Sequence, residues 1–132
     1  MALIEIVREV RITPDEAWAR LTDWPRHGDH VPLTRIERTD GGFDAFTGIG
    51  RFGFHDPMDV VEWHPPTSCR LEKRGRLVRG WARIEVEPLP SGCRVRWRED
   101  ISVRGVPRAL DGITRAASSR LFSRVVDGLL RA

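Results

Sequence analysis

The sequence predicts an α+β fold: a strand, two short helices, a run of antiparallel strands and one long C-terminal helix. Three observations predict it. Ile4, Ile6, Val10 and Ile12 alternate at the start, the period of a half-buried strand. Thr13-Pro14-Asp15-Glu16-Ala17-Trp18 then spells a helix start: Thr13 caps, Pro14 suits the first turn, and Glu16 stands where a capping-box carboxylate reaches back. From about Pro107 the apolar period becomes helical and stays so to the end. A sheet followed by a terminal helix encloses a pocket between them.

The first helix is expected from Pro14 to about Trp24, with Ala17, Trp18 and Leu21 on one stripe and Pro25 stopping it. Residues 25–34 read as a loop with one helical turn. A strand follows at about 35–40 and ends at the turn signal Gly41-Gly42. Phe43 to Phe54 holds three glycines among aromatics. It is either a strand with bends or a loop closing over the sheet. Four strands follow: Met58–Trp63, Cys69–Arg74, Gly80–Glu87 and Cys93–Val103, separated by Gly and Pro turns. In the last, Val95, Trp97 and Ile101 alternate with Arg94, Arg96, Arg98 and Asp100, the pattern of a sheet wet on one face. In the terminal helix Leu110, Ile113, Ala117, Leu121 and Val125 form a stripe, broadened by Phe122 and Leu129, with slim residues Ala116 to Ser119 in the middle.

The 132 residues, 40% hydrophobic and 31% charged, fit one globular domain, residues 1–132. No apolar run spans a bilayer, and no basic stretch with an apolar follower opens the chain. The expectation is a cytoplasmic protein without stable membrane insertion. The net charge of +3 is smaller than that of a dedicated nucleic-acid binder. The row Arg94, Arg96 and Arg98 shares its face with acids such as Glu72, Glu85 and Asp100, so a cross-strand-paired surface is expected there. Lys73 is the only lysine, and the absence of tyrosine excludes phenol chemistry. Cys69 and Cys93 lack C-x-x-C spacing and read as buried apolar residues.

The ordered set of segments resembles the START/Bet v 1-like (SRPBCC) superfamily, the helix-grip fold. Within it the chain looks like bacterial polyketide cyclase/dehydrase and lipid-transport-like proteins. The residues carrying the resemblance are Ala17-Trp18-Ala19-Arg20-Leu21-Thr22-Asp23-Trp24, Phe54-His55-Asp56-Pro57-Met58 running into Val60-Val61-Glu62-Trp63-His64-Pro65-Pro66, Gly75-Arg76-Leu77-Val78-Arg79-Gly80 and Val95-Arg96-Trp97-Arg98-Glu99-Asp100. The resemblance covers essentially the whole chain. It implies a curved antiparallel sheet wrapped around the C-terminal helix, with an elongated cavity between them for a lipid, polyketide or similar molecule. It carries no shared catalytic triad, and fold alone does not settle function.

Charged residues on apolar strand faces are the candidates for polarity in that cavity. Glu99 shares a parity with Val95, Trp97 and Ile101; Arg8 with Ile6 and Val10; Lys73 with Cys69 and Leu71; Glu62 with Met58 and Val60. First and last strands are neighbours in such a fold, which would let Arg8 meet Glu99. The apolar lining is expected from Phe46, Phe52, Phe54, Val60, Leu71, Ile84, Trp97, Ile113 and Ala117. The expected partner is a hydrophobic small molecule, without cofactor or nucleic acid, and a homodimer is a possible assembly. An enzyme using the same pocket would take Glu99, His30 or Glu62 as acid or base. A third reading is an interaction module with a filled core. The pairs His27/His30 and His55-Asp56 lack the spacing of a metal site, so no metal is expected.

Overall fold

The computed structural model describes residues 2–31, 33–49 and 52–131. Strand β1 (Ala2–Val10) leads into α1 (Pro14–Leu21), α2 (Trp24–His27) and a single 3-10 turn, Gly28–His30. Then come β2 (Thr34–Thr39), β3 (Gly42–Ile49), β4 (Phe52–His64), β5 (Ser68–Arg74), β6 (Val78–Leu89) and β7 (Gly92–Val103). A 3-10 turn at Arg108–Leu110 opens α3 (Asp111–Arg131). The strands form one seven-stranded sheet in the order β1-β7-β6-β5-β4-β3-β2, antiparallel throughout. The two short helices carry the chain from one sheet edge, β1, to the other, β2. This is the START/Bet v 1 helix-grip fold. Among the described residues no helix is long and apolar enough to cross a membrane.

The helix start behaves as its residues dictate, with one change. Thr13 Oγ1 accepts from the Glu16 backbone N–H at 3.1 Å, satisfying a donor with no partner inside the helix. The Glu16 carboxylate does not reach back; it takes Arg20 Nε at 2.9 Å, one turn on. The first helix also stops earlier than expected. Thr22 Oγ1 donates to the Trp18 carbonyl at 2.8 Å, and Pro25, expected as a stop, lies in the first turn of α2. Proline lacks only an N–H that a first turn leaves unpaired anyway.

The segment 43–54 resolves into β3 and the start of β4. The strand expected from Met58 begins at Phe52 and runs 13 residues. Pro57 sits inside it, opposite Asp44. Gly50, one of the three glycines read as bends there, lies outside the described residues.

The core forms on the inner sheet face. Ile4 and Ile6, Phe43, Cys69 and Leu71, Ala82, Ile84 and Val86, and Cys93, Val95, Trp97 and Ile101 all point inward. They meet Ala17, Trp18, Leu21 and Trp24 from the first helices, and Val125, Val126, Leu129 and Leu130 from the end of α3. Trp24 stacks on Phe43 with centroids 5.0 Å apart, and Trp18 packs on Trp63 at 5.2 Å. Each fully buried large side chain contributes roughly 1.5–3 kcal/mol. Both cysteines are free and buried. Burial pushes the Cys69 thiol up to about 12, which leaves it unreactive.

The outer face is laced by ion pairs. Arg94 bridges Glu9 at 2.8 Å and Glu87 at 3.2 Å, Arg98 meets Glu85 at 2.6 Å, and Arg83 meets Glu62 at 3.2 Å. Arg70 covers Trp81, 4.7 Å from its ring centroid.

Gly80, on β6 between Lys73 and Ile101, takes φ +144°, and a Cβ there would meet the Asp100 carbonyl oxygen at 1.8 Å. Gly80→Ala is expected to lower stability by about 2 kcal/mol or more. The urea midpoint reports it; an unchanged midpoint would contradict this reading of the strand.

Candidate functional site

Between the sheet and the middle of α3 lies a cavity of 310 Å³. Its wall is mostly apolar: Phe43, Phe54, Leu71, Trp97, Leu121 and Phe122 are the large contributors. The cavity exists because α3 is tightly buried only in its last turns. Helical geometry puts residues 111, 114, 118, 121, 122 and 125 on one face, and on it Ser118 stands where a large apolar residue would fill the gap. Ser118, Leu121, Phe122 and Val125 line the space.

The polar end of the cavity is built by three strands. Lys73 on β5 places its Nζ 3.1 Å from Asp56 Oδ2 on β4 and 3.2 Å from Glu99 Oε1 on β7. Met58 Sδ is 3.6 Å from the same ammonium, and the Phe122 ring centroid lies 5.9 Å away. Glu99 Oε2 accepts from Trp97 Nε1–H at 3.3 Å. Lys73 and Glu99 are separated by β6, where Ala82 stands opposite Glu99 and Gly80 opposite Lys73. Those two small residues leave the cation room to reach across.

Burial dominates the protonation chemistry. Desolvation raises the Glu99 carboxyl above its ordinary value, and the facing Lys73 opposes this only in part. For Lys73, desolvation alone would lower the ammonium, but Glu99 and Asp56 outweigh it and hold the pKa above the ordinary lysine value. His27, at the edge of the cavity, is lowered from 6.5 to about 4 by burial, opposed by its bond to the Leu21 carbonyl. Burial therefore keeps the ring neutral, and the bond, from Nε2–H at 2.7 Å, fixes its tautomer.

Of the residues singled out from sequence, Phe54, Leu71, Lys73, Trp97 and Glu99 line the cavity. The others lie elsewhere. Arg8 does not meet Glu99: Arg8 is opposite Val95, while Glu99 is opposite Ile4. Arg8 instead binds Asp127 near the end of α3 at 2.8 Å. Glu62 is turned to the outer face by a register shift between Val60 and Glu62, a bulge that reverses parity. Phe46 is on the outer side, 5.1 Å beneath the Arg35 guanidinium and beside His55, because Phe43, Ala45 and Thr47 hold the inner face of β3. Phe52 is 75% exposed at the hairpin tip. Val60 packs against the core, and Ile84 is wholly inside it. Ile113 and Ala117 are exposed, since helical geometry sets them about 120° and about 80° from Val125. His30 lies against Gly128 of α3, where a Cβ would meet its Nδ1 at 2.4 Å, and it is not part of the cavity wall.

Sequence reasoning missed Asp56 as a cavity residue. The signal was its parity with Phe54 and Met58, hidden by starting the strand at Met58. Among the described residues, no group of three or more His, Cys, Asp or Glu converges as metal ligands would.

Over residues 1–132 the sequence matches the family described as polyketide cyclase / dehydrase and lipid transport. The chain belongs to this family. No curated protein matches it. Solved structures with the same fold include a START superfamily protein from Mycobacterium smegmatis, with a TM-score of 0.76 at 12% identity, covering 97% of this chain and 96% of that one. The protein XoxI from Bacillus cereus aligns with a TM-score of 0.73 at 15% identity, covering 98% and 93%. The di-domain ARO/CYC StfQ of the steffimycin biosynthetic pathway aligns with a TM-score of 0.68 at 17% identity, over 98% of this chain and 48% of that one. At these identities the likeness is one of fold.

Two expectations arise from the buried titratable groups, the first from Lys73 and the second from His27. Lys73→Met leaves two carboxylates uncompensated and is expected to cost about 3 kcal/mol or more, with part recovered in Lys73→Met/Glu99→Gln; chemical denaturation of both variants measures it. The second concerns pH. His27 is neutral in the folded state down to about 4, while the unfolded chain takes up the proton below 6.5. Its stabilising contribution is therefore present above 6.5 and falls by about 3 kcal/mol as the pH drops towards 4. The raised Glu99 acts in the opposite sense, so the comparison is with His27→Gln, whose stability should fall less over the same window.

Proposed function

We propose that this chain binds a hydrophobic small molecule between the sheet and α3, with the molecule's polar end towards Lys73, Glu99 and Asp56. The observation that carries the reading is the 310 Å³ cavity, mostly apolar in its wall and charged at one place. That combination of broad apolar wall and few polar groups is what small-molecule sites present. Binding energy would come from apolar area, about 25 cal/mol per Å² buried, and orientation from the charged cluster. The family description, which joins polyketide cyclase / dehydrase with lipid transport, supports this reading.

The test is native mass spectrometry of the purified protein, followed by denaturation and identification of what is released. A stoichiometric apolar molecule is the expected result. Ser118→Trp, which fills the cavity from the helix side, should lose that molecule while keeping its melting temperature. Failure to release anything, together with no melting shift from a panel of apolar compounds, would leave the space as a packing void and favour an interaction module.

One feature favours a second reading, an enzyme of the cyclase or dehydratase type. Glu99 is a buried carboxyl with a raised pKa beside a cation in the cavity wall, the setting of a general acid or base. On the identified ligand, Glu99→Gln would then abolish turnover with little change in affinity. A ligand that is never transformed by the wild type leaves binding as the whole function.

A further inference from the structure

We infer that the cavity selects an apolar molecule whose polar end donates hydrogen bonds, a hydroxyl or an amine, and rejects one that ends in a carboxylate. This rests on the binding reading above and narrows its ligand class.

A lysine at the end of an apolar cavity would ordinarily receive an anion. Here its donors are already used. The ammonium has three hydrogens, and three acceptors surround it: Asp56 Oδ2 at 3.1 Å, Glu99 Oε1 at 3.2 Å and Met58 Sδ at 3.6 Å. Its side chain is 3% exposed. The other strong donor in the wall, Trp97 Nε1–H, is spent on Glu99 Oε2. His27 spends its Nε2–H on the Leu21 carbonyl, so its remaining ring nitrogen is an acceptor. The Thr34 and Thr47 hydroxyls bond to each other at 2.8 Å, which uses one of their two hydrogens; the other hydroxyl donors of the wall, Ser118 among them, are neutral.

The acceptor side is in surplus. Two carboxylates surround one cation. Asp56 is the least covered of the three, its side chain 14% exposed against 3% for Lys73 and 1% for Glu99. Its Oδ1 has no hydrogen-bond partner. The most exposed charged group of the cluster is therefore a carboxylate, and its buried Oδ1 is an acceptor still unused. A ligand donor would satisfy it. A ligand carboxylate would be stripped of water beside a like charge with no cation left to pair it, which is strongly unfavourable.

The experiment compares decanol, decylamine, decanoate and decane on the wild-type protein near neutral pH, by isothermal titration and native mass spectrometry. Decanol or decylamine should bind roughly tenfold or more tightly than decanoate, a difference of about 1.4 kcal/mol or more. In Asp56→Asn that gap should close to a few-fold, with decane binding unchanged as the check that the cavity has kept its shape. Decanoate binding as tightly as decanol to the wild type overturns the inference and leaves the binding reading intact. A full gap retained in Asp56→Asn overturns the role given to Asp56. If none of the four compounds binds, the cavity reading fails and takes this inference with it. If Asp56→Asn does not fold, the wild-type ranking alone decides.

Discussion

A lysine buried as deeply as Lys73 must be surrounded by anions, and the position of those anions constrains three strands at once. Asp56 on β4, Lys73 on β5 and Glu99 on β7 meet across the small residues of β6. A shift by one residue in any of these strands would send its charge to the outer face and leave the others unpaired in a low-dielectric interior. Such a cluster is weak evidence for stability, because desolvation offsets much of the attraction. It does bind register to chemistry. The only lysine of the chain stands where the inner sheet face meets the cavity.

The cavity arises from an uneven helix. The end of α3 is closed by Val125, Val126, Leu129 and Leu130 against the sheet. Further towards its start, the same face presents Ser118, too small to reach the strands. The helix is held at one end and leaves space at the other. The aromatic cluster of Trp18, Trp24, Phe43 and Trp63 anchors the short helices, so the cavity is bounded by rigid elements on most sides. The outer sheet face has a different task. Its arginines are engaged by acids on neighbouring strands, which turns a row of positive charge into a mixed, solvated surface.

What could be read from the chain was whatever depends on local period and turn chemistry. The Thr13-Pro14 helix start, the alternation of β7 and the helical terminal segment all appear where the sequence placed them, with boundaries displaced by a few residues. The bulge in β4 was not legible, because an extra residue in one strand shows only in its pairing with the partner strand β5. It alone moved Glu62 from an inner to an outer position. In α3 the apolar residues Ile113 and Ala117 drew attention, yet the face towards the sheet runs through polar ones. Hydropathy gives the period of a helix but not which angle faces inward when a cavity, rather than a packed core, lies beneath.

By itself the sequence determined the fold class and the presence of unusual charges on inner strand faces, since each follows from short-range patterns; the family rests on the resemblance its ordered segments carry and on the match over residues 1–132. Tertiary structure alone decided which of those charges meet. Arg8 and Glu99 lie on neighbouring strands but out of register, while Lys73 and Glu99 lie two strands apart and touch. The distance between side chains on one sheet face depends on register, strand order and the size of what stands between them. None of these is a property of any one segment.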